Sequence, residues 1–275
     1  MSVLEEIDLF LTNGCNLTCG FCSVDAPSNP VRLLSLERVK QIVDEGIALG
    51  LEQLHFTGGE PTLHPQLTQM IRYATDRGVE TRLITNGTLL DRERIAKLAA
   101  AGLRSIMVSI DGMQEVHDRL RGTPGTWTQA ISTVETARRA AMTTRVSTVG
   151  LRPNLDDIPA LARHVASLGV DIYSVFLGSP LGSGRRRKEW VLSRDEWEAL
   201  LDRMQTMTDG GEFGSRMEIV LEQGYLSPDS NRFDRARIKG RGAGCTVIPE
   251  KTDYLIIQSD GRVHPCIFYI HDGPS

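Results

Sequence analysis

Cysteine is scarce in this chain: five residues in 275, an odd count. The opening MSVLEEIDLF has no basic segment ahead of an apolar run, so no secretory signal is expected. Together these exclude a disulfide framework and point to a reducing, cytoplasmic setting. Long apolar runs are missing as well. None approaches the roughly 18 residues of a membrane span, so no membrane partner is expected. Positive charge is also in deficit, and a formal net charge of -4 argues against a dedicated nucleic-acid binder. One run is locally basic, GRRRKEW (Gly184 to Trp190), and reads as a solvated loop. There is no repeat at solenoid period and no low-complexity tract.

What remains is an ordinary globular composition, 40% apolar and 24% charged. The length suits one large barrel or one domain with a small appendix. Strand candidates are 7–13, 53–58, 81–87, 105–112, 145–151 and 172–178, short runs apolar on both faces, as covered parallel strands are. Amphipathic segments lie between them. In SLERVKQIVDEGIALG, Ser35 caps the start, Val39, Ile42, Val43 and Ile47 share a face, and Gly50 ends it. PQLTQMIRYATDRG, LDRERIAKLAAAG, TWTQAISTVETARRAA and LDDIPALARHVASLG follow the same grammar. Six such βα units predict an α/β fold, a partial (β/α)6 TIM barrel. Ser193 and Glu196 form a capping box for one more helix, to about Met207. YLIIQSDGRVHPCIF then reads as a hairpin around Ser259, Asp260 and Gly261. A boundary near residue 212 separates the barrel (1–211) from a C-terminal region (212–275).

Cys15, Cys19 and Cys22 crowd the loop after the first strand, at the edge where barrels build their sites. Three thiolates on one short loop can converge on a metal. A closed zinc site needs a fourth ligand at matched spacing, and neither His55 nor His64 completes such a pattern. Three ligands for a four-iron cluster leave one iron open to a substrate or cofactor.

CNLTCGFC resembles the C-x3-C-x-aromatic-C signature of radical S-adenosylmethionine enzymes, with Phe21 as the aromatic. The resemblance spans roughly residues 6–190. It implies a [4Fe–4S] cluster on Cys15, Cys19 and Cys22, with S-adenosylmethionine on the open iron and Phe21 near the adenine. FTGGEPTL looks like the family's GGEP motif, which implies that Gly58, Gly59 and Glu60 meet the cofactor amino group. Asn86 belongs to the TNG turn seen in the family, and VSIDG resembles its ribose and carboxylate contact, carrying over Ser109 and Asp111. In related enzymes the arginine of HDxxRG reaches the cofactor carboxylate, which assigns Arg121; the bland alternative is a surface pair with Asp118.

Cys245 and Cys266 resemble the opening half of a SPASM or twitch domain, which would bind an auxiliary iron–sulfur cluster. That pattern needs a further cysteine downstream, so a fragment of a longer protein, or substitution by His264 or His271, is expected. The resemblance implies reductive cleavage of the cofactor and removal of a substrate hydrogen atom, most often to modify a peptide or protein by crosslinking or side-chain oxidation. The alternatives are a radical dehydrogenase acting on a sugar, aminocyclitol or other small natural product, and a non-enzymatic electron carrier. All five cysteines are used if both sites exist, which counts against epimerisation through a free thiol. An electron donor such as flavodoxin or ferredoxin is the implied partner. Glu222 and Tyr225 are substrate-face candidates whose plainer reading is ordinary loop.

Overall fold

A computed structural model of the chain describes residues 4–26, 31–214, 216–222, 253–265 and 270. Strands and helices alternate from the start: β1 (Glu6–Phe10), α1 (Leu36–Leu49), β2 (Gln53–Thr57), α2 (Leu67–Thr75), β3 (Glu80–Thr85) and α3 (Arg92–Ala100). Next come β4 (Ser105–Ser109), α4 (Gln114–Arg121), α5 (Thr126–Arg139), β5 (Thr143–Gly150), α6 (Ile158–Ser167) and β6 (Ile172–Leu177). The series ends with α7 (Arg194–Asp209), β7 (Glu218–Glu222), β8 (Tyr254–Ile257) and β9 (Val263–His264).

Among the described residues nine strands lie in one open sheet, in the order β7-β6-β5-β4-β3-β2-β1-β8-β9. The six expected strands are present and parallel. One strand, β7, and the place of another, β8, were not legible in the sequence. β7 extends the barrel as a seventh parallel strand beside β6, and β8 pairs parallel with β1 on the other side. The hairpin turn is as expected: β9 runs antiparallel to β8, with Gly261 at φ +85°. Cys245, Tyr225, Cys266 and His271 lie outside the described residues.

Local chemistry accounts for the helices. The Ser35 side chain accepts from the Arg38 amide, and Gly50 closes α1 in the left-handed region at φ 102°. Val39, Ile42 and Val43 are buried as expected, but Ile47 is 39% exposed. Gly46 takes the inward position instead, and a Cβ there would meet Leu51 Cδ2 at 2.8 Å. The capping box of Ser193 and Glu196 starts α7. Helix α4 was not expected, since its eight residues are mostly polar; it buries His117, Leu120 and Arg121 and stops at Gly122.

Strand alternation divides the sheet into two faces. Leu9, Leu54, Phe56, Leu83, Ile106, Val108, Val146 and Val175 are fully buried in the main core, with Val39, Val43, Met70, Ile71, Val134, Leu161, Val165 and Trp197 of the helices. Each such side chain contributes about 1.5–3 kcal/mol through burial. The opposite face lines the barrel lumen and carries polar and charged side chains among a few apolar ones. Strand register places Asp8, His55, Arg82 and Ser105 in one row of that face, Met107 and Arg145 in the next, and Ser109 and Ser147 above them.

Candidate active site

The cysteine loop leaves the C-terminal end of β1 and is clamped by neighbours. Thr12 O accepts from the Gly59 amide at 2.7 Å, and Gly14 O from the Glu60 amide at 2.8 Å. The two glycines after β2 make this docking sterically feasible. A Cβ on Gly58 would lie 2.4 Å from Thr12 O, and one on Gly59 would lie 2.1 Å from Gly14 O. The close approach expected of these glycines is therefore made to the cysteine loop itself. On the far side the Ser183 amide donates to Cys22 O at 2.9 Å.

Cys15, Cys19 and Cys22 are free, half-buried thiols. Among the described residues one trio of Cys, His or carboxylate ligand atoms lies within 4.8 Å of one another, and it is Glu6, Asp8 and His55. The three sulfurs are therefore set wider than a single zinc ion draws its thiolates, about 3.8 Å apart. Burial pushes the Cys15 thiol up to about 11 and raises Cys19 as well, so this donor set wants a metal's positive charge before it ionises. Two nitrogen donors face the sulfurs: Asn86 Nδ2 to Cys15 Sγ and Arg121 Nη1 to Cys19 Sγ, each at 3.9 Å. Such donors are what a thiolate-bound iron–sulfur cluster uses to spread its charge.

Asn86 is held by a closed ring. Its Nδ2 donates to Asn16 Oδ1 (2.9 Å), Asn16 Nδ2 donates to Thr88 Oγ1 (2.8 Å), and Thr88 Oγ1 donates to Asn86 Oδ1 (2.7 Å). Asn16 and Thr88 were not singled out in the sequence; the CN and NGT contexts were their only signals. Glu60 is fully buried, and its carboxylate accepts from Thr62 N, Thr62 Oγ1, Thr85 Oγ1 and Asn86 N at 2.6–3.1 Å. Burial raises its pKa against the pull of these donors. Its observed task is to lock the end of β2 to the end of β3.

Arg121 does not pair with Asp118, whose carboxylate accepts instead from Gly125 N, Thr126 Oγ1 and Trp127 N to start α5. Its partner is Asp111, fully buried, reached by Nε and Nη2 at 2.6 Å each. Asp111 also accepts from Val149 N at 2.9 Å. Burial opposes the guanidinium charge most strongly, but Asp111 and Cys19 together outweigh it and keep Arg121 ionised. Asp111 thus positions Arg121. His117 supports the same turn: its Nδ1 accepts from the Asp111 amide at 3.0 Å, which leaves the proton on Nε2. Phe21 packs with Leu120 and Leu151, its ring centroid 5.5 Å from Arg121 Cζ. Ser109 ends β4 on the lumen face, 3.4 Å from Ser147 Oγ.

The basic run also has a defined place. It folds as a 3-10 segment, Gly182–Trp190, with Trp190 against Gly20. Arg186 and Arg187 line a cavity of about 520 Å³ together with Thr18, Cys19 and Gly20. The cations stand beside the cysteine loop.

A parallel α/β sheet, three wide-set thiols on the first loop and an arginine on the second sulfur converge on one assignment. The family model of the radical SAM superfamily matches residues 9–165. The chain belongs to that superfamily.

The AdoMet-dependent heme synthase of Methanosarcina barkeri is 31% identical over 269 residues, 93% of this chain and 74% of that protein. The PqqA peptide cyclase of Bradyrhizobium diazoefficiens is 33% identical, over 97% of this chain and 66% of its own length. The crystal structure of Streptococcus suis SuiB bound to S-adenosylmethionine shares the fold, with a TM-score of 0.80 at 17% identity. The match covers all of this chain and 63% of that one. Radical SAM membership implies S-adenosylmethionine and a [4Fe–4S] cluster, and the three thiols with their two nitrogen donors fit the cluster. No described helix is long and apolar enough to cross a membrane.

Proposed function

We propose that this chain removes a hydrogen atom from a peptide or protein side chain as the first step of its modification. The observation that carries the chemistry is the Cys15–Cys19–Cys22 loop with Asn86 and Arg121 on two of its sulfurs. When bound, the reduced cluster and S-adenosylmethionine supply a 5′-deoxyadenosyl radical, the hydrogen-abstracting agent. Cys15, Cys19 and Cys22 would hold the cluster through three of its irons. Gly58, Gly59, Ser109 and Arg121 would hold the cofactor, with Phe21 near its adenine. Glu60 and Asp111 act through their neighbours, one by fixing Asn86 and the other by aiming Arg121. The lumen orients the substrate and keeps water away from the reacting carbon.

The peptide class is supported by the PqqA peptide cyclase, similar over nearly all of this chain. The heme synthase favours a second reading, a radical reaction on a small natural product. An acidic one-electron carrier, flavodoxin or ferredoxin, would dock at the basic segment beside Cys19. The chain reconstituted anaerobically with iron and sulfide is given S-adenosylmethionine and dithionite. Formation of 5′-deoxyadenosine above a Cys15→Ala, Cys19→Ala, Cys22→Ala control is the expected result; equal amounts in both would sink the proposal. Transfer of deuterium from labelled candidate peptides into 5′-deoxyadenosine then separates the peptide reading from the small-molecule one.

A further inference from the structure

Among the described residues, two arginines on the lumen face make no direct ion pair. Arg82 on β3 and Arg145 on β5 face the lumen, since the residues flanking each of them pack towards the helices: Thr81 lies 3.5 Å from Thr75 Oγ1 of α2, and Leu83 and Val146 are in the main core. Neither arginine makes an ion pair or hydrogen bond among the described residues, and the Nε atom of each is buried without a partner. Burial, and then the neighbouring Arg145, lower the Arg82 pKa against the pull of Glu6, Glu80 and Asp8. The nearby acids are already engaged. Asp8 accepts from Tyr254 Oη at 2.6 Å and lies 2.9 Å from His55 Nδ1, which is also 3.3 Å from Glu6. Both arginines are half-buried, and a donor such as Nε shut off from water without an acceptor is costly unless something completes it.

We propose that Arg82 and Arg145 are a carboxylate-binding site in the lumen, reading a carboxyl group on the substrate. Arg145 lies two residues below Ser147 on β5, about 7 Å along the strand, and Ser147 is level with Ser109. A carboxylate held by the pair would leave a short aliphatic segment to reach the cofactor end of the lumen. Two guanidiniums beside Glu6 and Asp8 suit an added single negative charge better than a double one, which selects carboxylate over phosphate. The site rests on the radical-enzyme reading only for the identity of its ligand as substrate.

The test titrates 13C-labelled butyrate into the full chain, as purified and after cluster loading, and follows it by NMR. Butyramide serves as the neutral isostere and inorganic phosphate as competitor. Butyrate is expected to bind, butyramide not to, and Arg82→Gln or Arg145→Gln to weaken binding about tenfold or more. Arg82→Met and Arg145→Met are expected to raise the ligand-free melting temperature, because each removes a half-buried cation whose Nε lacks an acceptor, and to abolish stabilisation by butyrate. Unchanged affinity in the double Gln variant, equal binding of butyramide, or displacement of butyrate by less phosphate than butyrate would overturn the proposal. So would absence of butyrate binding with a lowered melting temperature in the Met variants, which assigns the arginines a purely structural role. Production of 5′-deoxyadenosine by the wild-type chain is scored separately, so failure of the enzyme reading leaves these outcomes intact.

Discussion

At Asp111 the consequences of one residue are largest. Its carboxylate is fully buried and holds Arg121 through two bonds and Val149 through a third. Asp111→Ala leaves the Arg121 charge buried and uncompensated, and a loss of about 3–5 kcal/mol is expected in chemical denaturation. Arg121→Lys keeps a charge but not the fork, so it should load iron while binding S-adenosylmethionine more weakly. His117 gives the same turn a pH dependence. Burial, and then the neighbouring Arg121 charge, lower its pKa to about 4. The unfolded chain protonates this imidazole near pH 6.5 while the folded chain keeps it neutral. Its contribution is therefore complete above about pH 6.5 and is lost as pH falls towards 4, by about 3 kcal/mol. Melting curves at pH 7 and pH 5 should show a drop in the wild type that His117→Asn reduces.

Between elements, the decisive contact is loop on loop. A methyl group on Gly59 would meet Gly14 O at 2.1 Å, backbone that cannot swing aside. Gly59→Ala should leave the sheet intact by circular dichroism while iron loading after reconstitution falls sharply. The 3-10 segment Gly182–Trp190 acts at the same scale, since it puts Arg186 and Arg187 on a cavity shared with Cys19. Arg187→Glu with Lys188→Glu should lower the ratio of flavodoxin-driven to dithionite-driven product about tenfold at low salt. A ratio unchanged by these reversals would place the donor elsewhere.

Across the whole molecule, β7 and β8 flank the six strands read from sequence and leave the sheet open. A cluster on Cys15, Cys19 and Cys22 alone would load about four irons per chain in reconstituted protein. About eight, falling to four in Cys245→Ala with Cys266→Ala, would instead assign a second cluster to that pair. Most of the barrel was legible because each of its six strands is a short apolar run followed by an amphipathic helix, with side-chain caps at Ser35, Asp91 and Ser193 marking three of the starts. β7, the sequence EIVLE, was not, since three apolar residues between two glutamates carry too little pattern to separate a strand from a loop.

The sequence by itself determined the cysteine loop, the glycines beside it and the superfamily, because ligand spacing and turn chemistry are local. Tertiary structure decided the partners. Arg121 meets Asp111 ten residues away rather than Asp118 three away, because the helix carrying it turns its guanidinium inward against the end of β4. Glu60 faces Thr85 and Asn86 across two strand ends, and Arg82 and Arg145 share a lumen though 63 residues separate them. Which charges pair and which are left facing the lumen depends on how parallel strands come into register, and that long-range arrangement is encoded by no single stretch of the chain.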